Sequence, residues 1–159
     1  MLTAYITAMD AVDKKIIALL QSDSRMSATD LARLLPMSLS ATTERMRRLQ
    51  TSGVISGFTI TVDGAAVGRP IEALIDVRLA TGTYSGVLDE RLHEVSAVID
   101  AVHLTGRFDT QLRVAVRDVP ELDQILETLK EELGAEETNT RLVLRTIADF
   151  PRPVQVEAP

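Results

Sequence analysis

Apolar residues recur along the first sixty positions with helical spacing. Val12, Ile16, Leu19 and Leu20 fall at i, i+4, i+7 and i+8, one face of a helix of about three turns, with Asp10 just ahead as its N-cap. Ser22-Asp23-Ser24 breaks the pattern. Ser27-Ala28-Thr29-Asp30 has the Ser-x-x-acid form of a capping box and predicts a second, short helix with Leu31, Leu34 and Leu35 on one side. Pro36 stops it, because proline lacks an N–H and disfavours helical geometry in the residue before it. Ser38 caps a third helix whose apolar positions, Leu39, Thr42, Met46 and Leu49, step by three, four and three until Gly53. Val54-Ile55 and Phe58 to Val62 then read as β-type sequence around Gly57.

The small-residue stretch Gly64 to Pro70 marks a boundary, and beyond it the period changes. Ile71, Ala73, Ile75, Val77 and Leu79 alternate with Glu72, Leu74, Asp76 and Arg78, a strand with one core face. Leu88, Leu92 and Val95 make a helical stripe. Val98 to Leu104 and Phe108 to Val116 read as strands, the latter with Leu112, Val114 and Val116 inward. Asp118-Val119-Pro120-Glu121 opens a helix whose buried stripe is Leu122, Ile125, Leu126, Leu129 and Leu133, ended by Gly134. Asn139 to Ile147 is the last predicted strand.

This order predicts an α+β protein: an N-terminal helix-turn-helix domain of winged-helix-like type over 1–60, a linker over 61–69, a βαββαβ ferredoxin-like domain over 70–150 and a loosely ordered tail over 151–159. Both helices of the second domain should cover one face of its sheet. The other face, with Glu72, Leu74, Asp76, Arg113 and Arg117, is either solvated or paired with a second sheet.

Composition narrows the chemistry. The chain has 159 residues, 45% of them apolar but only 3% aromatic, so the core is aliphatic and wholesale disorder is excluded. The absence of cysteine excludes disulfides, a thiol nucleophile and thiolate zinc sites. No apolar run approaches the ~18–20 residues that cross a bilayer, and the first ten lack the pattern of a secretion signal, so a cytoplasmic protein without membrane contact is expected. The net charge of −6 argues at first against nucleic acid, but it is unevenly spread. The first 60 residues carry seven basic and five acidic side chains, the remaining 99 ten and eighteen. A mildly basic half followed by an acidic one suits a polyanion-binding domain joined to one that does other work.

The helical pattern says how such a domain would bind. Two helices joined by a short turn, the second rich in arginine, are the helix-turn-helix arrangement. At 100° per residue Ser40, Glu44, Arg47, Arg48 and Thr51 lie opposite the apolar stripe of the third helix, with Thr43 and Arg45 on its flanks. Hydroxyls near the helix start suit base edges and phosphates, and guanidinium groups suit phosphate or guanine. The plainer alternative is an ordinary solvated helix on which Glu44 pairs with Arg47 or Arg48.

Met9 to Asp13, Ile17 to Ser27, Leu31-Ala32, Ser38-Leu39-Ser40, Glu44 to Leu49 and Gly53 to Phe58 together closely resemble the opening of the Lrp/AsnC (feast/famine) transcriptional regulators, without a gap. Ser24 replaces the family's usual Gly before Arg25, and Pro36 stands where a Gly usually forms the helix-turn-helix corner. A proline cannot adopt the left-handed conformation a glycine supplies there, so the turn must take another shape. The resemblance implies a regulator that binds duplex DNA, with Arg25, Ser38, Ser40, Thr42, Thr43, Glu44, Arg45, Arg47 and Arg48 as the residues that meet it. It also implies sheet-to-sheet dimers assembling to octamers. His103 to Asp109 looks like the family's loop between the second and third strands, which helps form a small-molecule pocket between dimers, commonly for an amino acid. The matching effector positions are Leu104, Thr105, Gly106, Arg107 and Asp109, with Thr138 and Thr140 on the last strand. Arg107 stands where many relatives carry an acidic residue. The alternative is a plain hairpin turn at Gly106, with Arg107 paired to Asp109.

Enzyme chemistry finds no support in these residues. His93 and His103 are the two histidines and make no convincing metal set without cysteine; Glu131-Glu132 and Glu136-Glu137 read as a solvated helix end. No phosphate-cradling glycine loop and no Gly-x-Ser-x-Gly elbow is present, so neither a cofactor nor a metal is expected. Two rival functions stay open at this point: a metabolite-binding module whose helix-turn-helix only packs, and the regulatory subunit of an amino-acid enzyme.

Overall fold

The computed structural model describes residues 9–83 and 85–147, so the expected tail over 151–159 lies outside the described residues. The chain divides into two compact units between Ile60 and Thr61.

The first unit holds α1 (Ala11–Ser22), α2 (Ala28–Leu34) and α3 (Leu39–Thr51). Each starts on the cap its sequence provides. The Asp10 carboxylate accepts the Val12 and Asp13 N–H groups, Ser27 and Asp30 form a reciprocal box, and the Ser38 hydroxyl accepts from the Ala41 N–H. Ile16, Ile17 and Leu20 of α1 meet Leu31, Leu35 and Leu49 in one aliphatic core. Leu34 and Leu39, assigned above to buried stripes, are about half exposed at the corner between α2 and α3. A seven-residue helix has two turns, and its buried side is filled by Leu31 alone before the chain turns.

Pro36 shapes that turn. Leu35 is extended, as a residue before proline prefers, and the Met37 N–H donates to the Leu35 carbonyl at 2.9 Å. This is a γ-turn centred on Pro36, a geometry that proline's fixed φ fits without any left-handed residue. The predicted wing strands do not form: residues 54–62 make no ladder, and Phe58, Ile60 and Val62 are exposed. A strand is stable only against a partner, and the described residues of this chain offer none for this segment.

The second unit is an antiparallel sheet in the order β2-β3-β1-β4, built from β1 (Ile71–Leu79), β2 (Val98–His103), β3 (Thr110–Val116) and β4 (Ala135–Leu142), with α4 (Ser85–Leu92) after β1 and α5 (Val119–Glu131) after β3. That is the ferredoxin-like βαββαβ topology. Ala73, Ile75, Val77, Leu112, Val114 and Val116 project to the helix-covered side, against Leu88, Leu92, Leu122, Ile125, Leu129 and Leu133. Residues 61–69 are not a slack connector. Ala65–Val67 is a 3-10 turn, and Arg69 donates to the Ala115 carbonyl at 2.8 Å.

β4 begins four residues before its predicted start and ends five before its predicted end. Gly134, at φ 75°, turns the chain straight from α5 into the sheet. A side chain there would need a left-handed backbone and would lie 3.0 Å from the Thr83 methyl. At its far end β4 runs out of partner: Val143 still donates to Glu72, one residue from the start of β1. Glu136 and Glu137 therefore belong to a strand, not to a solvated helix end. Arg117 also leaves the sheet face, since its guanidinium pairs with Glu121 at 3.1 Å.

Three carboxylates at helix starts titrate below their usual range. Asp10 is held low by the Asp13 N–H and then Arg45, Asp30 by the Ser27 hydroxyl and N–H, and Glu121 by the Arg117 N–H and guanidinium. Depressed folded values stabilise the fold fully above the ordinary carboxylate values of 3.8 and 4.5, and that contribution is lost as pH falls through the lower folded values. Helicity is therefore expected to fall only below about pH 4. An Asp10→Asn, Asp30→Asn, Glu121→Gln triple variant should show a shallower acid transition by circular dichroism; an unchanged transition would show that these groups contribute nothing to it.

Candidate nucleic-acid interface and effector loop

The middle of α3 is tied to α1. Asp13 is buried, with 2% of its surface exposed, and its two carboxylate oxygens accept from Arg45 Nη1 at 2.8 Å and Arg48 Nη2 at 2.7 Å. Arg45 also pairs with Asp10 at 2.6 Å, and these two carboxylates raise its pKa further. Two of the three arginines of α3 are thus spent within the unit, and the helix-wheel reading missed this because it treats α3 without its neighbour. Thr42, placed among the DNA contacts above, is fully buried and donates its hydroxyl to the Ser38 carbonyl at 3.0 Å; it is a packing residue.

The exposed residues of α3 are Leu39, Ser40, Thr43, Glu44 and Arg47, with Arg48, Gln50 and Thr51 in its last turns. Arg47 donates to Glu44 across one turn, Nε to Oε2 at 2.9 Å, and this guanidinium holds the Glu44 carboxyl below its usual range. The pair expected of a solvated helix face therefore forms, between Glu44 and Arg47. Ser38 is exposed at the cap. Arg25 is exposed in the turn before α2, with Asp23 3.9 Å away. Leu39, an apolar residue at the first turn of α3, is exposed as well.

The loop between β2 and β3 is fixed to the end of β1. Asp109 donates its N–H to Val77 O at 2.9 Å, and its carboxylate accepts from the Leu79 N–H at 2.7 Å. Gly106 has φ 113°, a conformation that side-chain-bearing residues rarely adopt. Leu104, Thr105 and Arg107 are exposed around it. Arg107 does not pair with Asp109. It pairs with Glu137 of β4, and its guanidinium carbon sits 5.3 Å from the Phe108 ring centroid.

Register separates the rest of the set. Thr138 lies opposite Val77 and Thr140 opposite Ile75, so both project to the helix-covered face, whereas Glu137 and Arg78 share the open face. An irregularity between Arg78 and Leu79 places Glu136 as well as Glu137 against Arg78, at 3.2 and 2.9 Å. Arg78, Glu136 and Glu137 were absent from the expected site because their proximity to the loop depends on strand pairing. A separate cavity of about 540 Å³ between α4 and β2 is lined by Asp89, His93, Asp100 and His103, and no residue of 104–109 reaches it. Among the described residues no group of three metal-ligating side chains occurs, and no helix is long and apolar enough to cross a membrane.

Residues 9–50 match the AsnC-type helix-turn-helix domain and residues 72–153 the Lrp/AsnC ligand binding domain. The chain belongs to the Lrp/AsnC family. Its Lrp/AsnC relatives are named as transcriptional regulators. The chain is 32% identical over 138 residues to the HTH-type transcriptional regulator FL11 of Pyrococcus horikoshii, covering 87% of this chain and 91% of that one. It is 33% identical to the regulator AldR of Mycobacterium tuberculosis, over 85% and 77% of the two chains. The solved structure of MtbAldR superposes with a TM-score of 0.72 at 30% identity, covering 91% of this chain and all of that one. The fold is shared with the feast or famine regulatory protein of M. tuberculosis in its complex with L-methionine, at a TM-score of 0.84 and 23% identity over 96% and 100% of the chains. This Lrp/AsnC protein is a transcriptional regulator that joins a DNA-binding helix-turn-helix domain to a ligand-binding domain.

Proposed function

We propose that the regulator reads duplex DNA with the N-terminal half and outer face of α3, as a self-associated assembly, and that an amino acid bound at the loop over 104–109 modulates it. The Asp13 clamp carries the first part. By tying Arg45 and Arg48 to α1 it turns Ser40, Thr43 and Arg47 outward, with Leu39 at the helix start where an apolar side chain can meet a thymine methyl. Arg25, Ser38, Arg45 and Arg48 lie beside this face, the last half exposed and within reach of phosphate. Self-association supplies the affinity that one weakly basic unit lacks. The open sheet face, with Glu72 paired to Arg113 and Asp76 to Arg141, is an ordered surface for sheet-to-sheet pairing, and the alternating Phe58, Ile60 and Val62 offer further apolar area. The family resemblance extends this to octamers. Amino-acid sensing draws support from the ligand-binding domain match and from the relative solved with L-methionine.

The test is a salt titration of binding to a random-sequence duplex, in which each lost phosphate contact flattens the slope by about one unit. Arg47→Ala should weaken binding and flatten the slope. Glu44→Gln should strengthen binding, because it frees Arg47 and removes a negative charge from the face. Wild-type slopes in both variants would remove α3 from the interface.

A further inference from the structure

Glu137 joins β4 to the β2–β3 loop by being shared between two arginines. Its Oε2 accepts from Arg78 Nη2 at 2.9 Å, and its Oε1 accepts from Arg107 Nη2. The two ends of the Arg107–Glu137 pair are held differently. Arg107 comes from the loop, its side chain is 72% exposed, and among the described residues Glu137 is its one ionic partner. Glu137 is 30% exposed and stays anchored to Arg78, which Glu136 holds in turn. An ion pair this open to water is worth little, so an incoming pair of opposite charges exchanges with it at small cost. The Phe108 ring beside the Arg107 guanidinium limits where it goes once released.

We propose that Arg107 and Glu137 are the two poles of a zwitterion site: the ligand's carboxylate takes the Arg107 guanidinium, its ammonium takes the freed Glu137 oxygen, and the ligand inserts between them. The proposal rests on the reading of this loop as the effector site and adds which groups hold the effector's charged end. A planar guanidinium meets a carboxylate through two parallel N–H donors, and a carboxylate accepts an ammonium directly. The exchange balances charge, since one internal pair is replaced by two pairs to a net-neutral ligand. A ligand with a single charge satisfies one pole and leaves the other facing either a neutral group or a repulsive one. The site therefore selects free amino acids over N-acetyl amino acids and over amino-acid amides.

The experiment uses the full chain in its native assembly and measures binding of the twenty L-amino acids by calorimetry. The amino acid that binds tightest is then compared with its N-acetyl and amide derivatives. Arg107→Ala and Glu137→Ala should each weaken the free amino acid roughly tenfold or more. Arg107→Ala should not weaken the binding of the amide, which has no carboxylate and no longer has to displace Arg107 from Glu137. Arg107→Glu should abolish binding of the free amino acid, because it sets a carboxylate against the ligand's own. Tighter binding in Glu137→Ala would mean that Glu137 only blocks Arg107, and would overturn the proposal. Wild-type affinity in both alanine variants would overturn it while leaving amino-acid sensing intact. Failure of the wild type to bind any of the twenty would overturn both.

Discussion

Asp13→Ala is expected to lower the stability of the helical unit by about 2 kcal/mol and to weaken DNA binding, although Asp13 is buried beneath the proposed DNA-reading face. A buried carboxylate that accepts two charged hydrogen bonds contributes more than a surface pair, and its loss leaves Arg48 without this acceptor and Arg45 with Asp10. The cost stays below that of a fully buried pair because Arg45 is a quarter exposed and Arg48 half exposed, so both can turn to water. With Arg48 released, α3 is held to α1 by the Arg45–Asp10 pair and the aliphatic core, and the orientation of Ser40, Thr43 and Arg47 loosens. Urea denaturation followed by circular dichroism measures the first effect. The salt titration separates the second from a phosphate contact: affinity falls while the slope persists, whereas in Arg47→Ala both fall. Arg48→Ala combined with Asp13→Ala should cost less than the sum of the two, since they share one network. Wild-type stability in Asp13→Ala would mean that the clamp does not hold the helix.

Leu129→Ala is expected to destabilise the ligand-binding unit by about 2–5 kcal/mol, the range for emptying a leucine site in a packed core. Leu129 is 1% exposed in the α5 stripe and belongs to the same core cluster as Val114 and Ile75 of the sheet. Most of a small unit's margin of stability is then gone. The open face of the sheet exists only while α5 and α4 hold its other face, so self-association should weaken in parallel with folding. Thermal denaturation together with solution mass follows both. Val119→Ala, on the same helix but exposed at its first turn, should stay within about 0.5 kcal/mol of the wild type. Equal effects for the two would contradict the packing described here.

The local features were legible because local chemistry sets them. Asp10, Ser27, Ser38 and Asp118 cap the helices they precede, and each acts within three residues of itself. The strand alternation of Ile71 to Leu79 gave the correct inward set for the same reason, as did Leu112, Val114 and Val116. The candidate sites were legible only as segments. A helix wheel could assign Arg45, Arg47 and Arg48 to one charged face, but it could not tell which of them another helix would claim. Arg107 of the expected effector loop pairs with Glu137 of β4, thirty residues away, through a register that no local pattern encodes.

The sequence by itself determined the α+β order of elements, the helix starts and stops, the aliphatic core and the family, because each depends on residue type, spacing or a contiguous motif. Tertiary structure alone decided the rest. The γ-turn at Pro36 replaced a glycine corner because the backbone found a hydrogen bond compatible with proline. Residues 58–62 stayed outside any sheet because strands need partners. β4 took its limits from the length of β1. Arg45 and Arg48 reach back to α1, the latter still half exposed, because a buried carboxylate must be paired and α1 had placed Asp13 within their reach, while Arg47 pairs with Glu44.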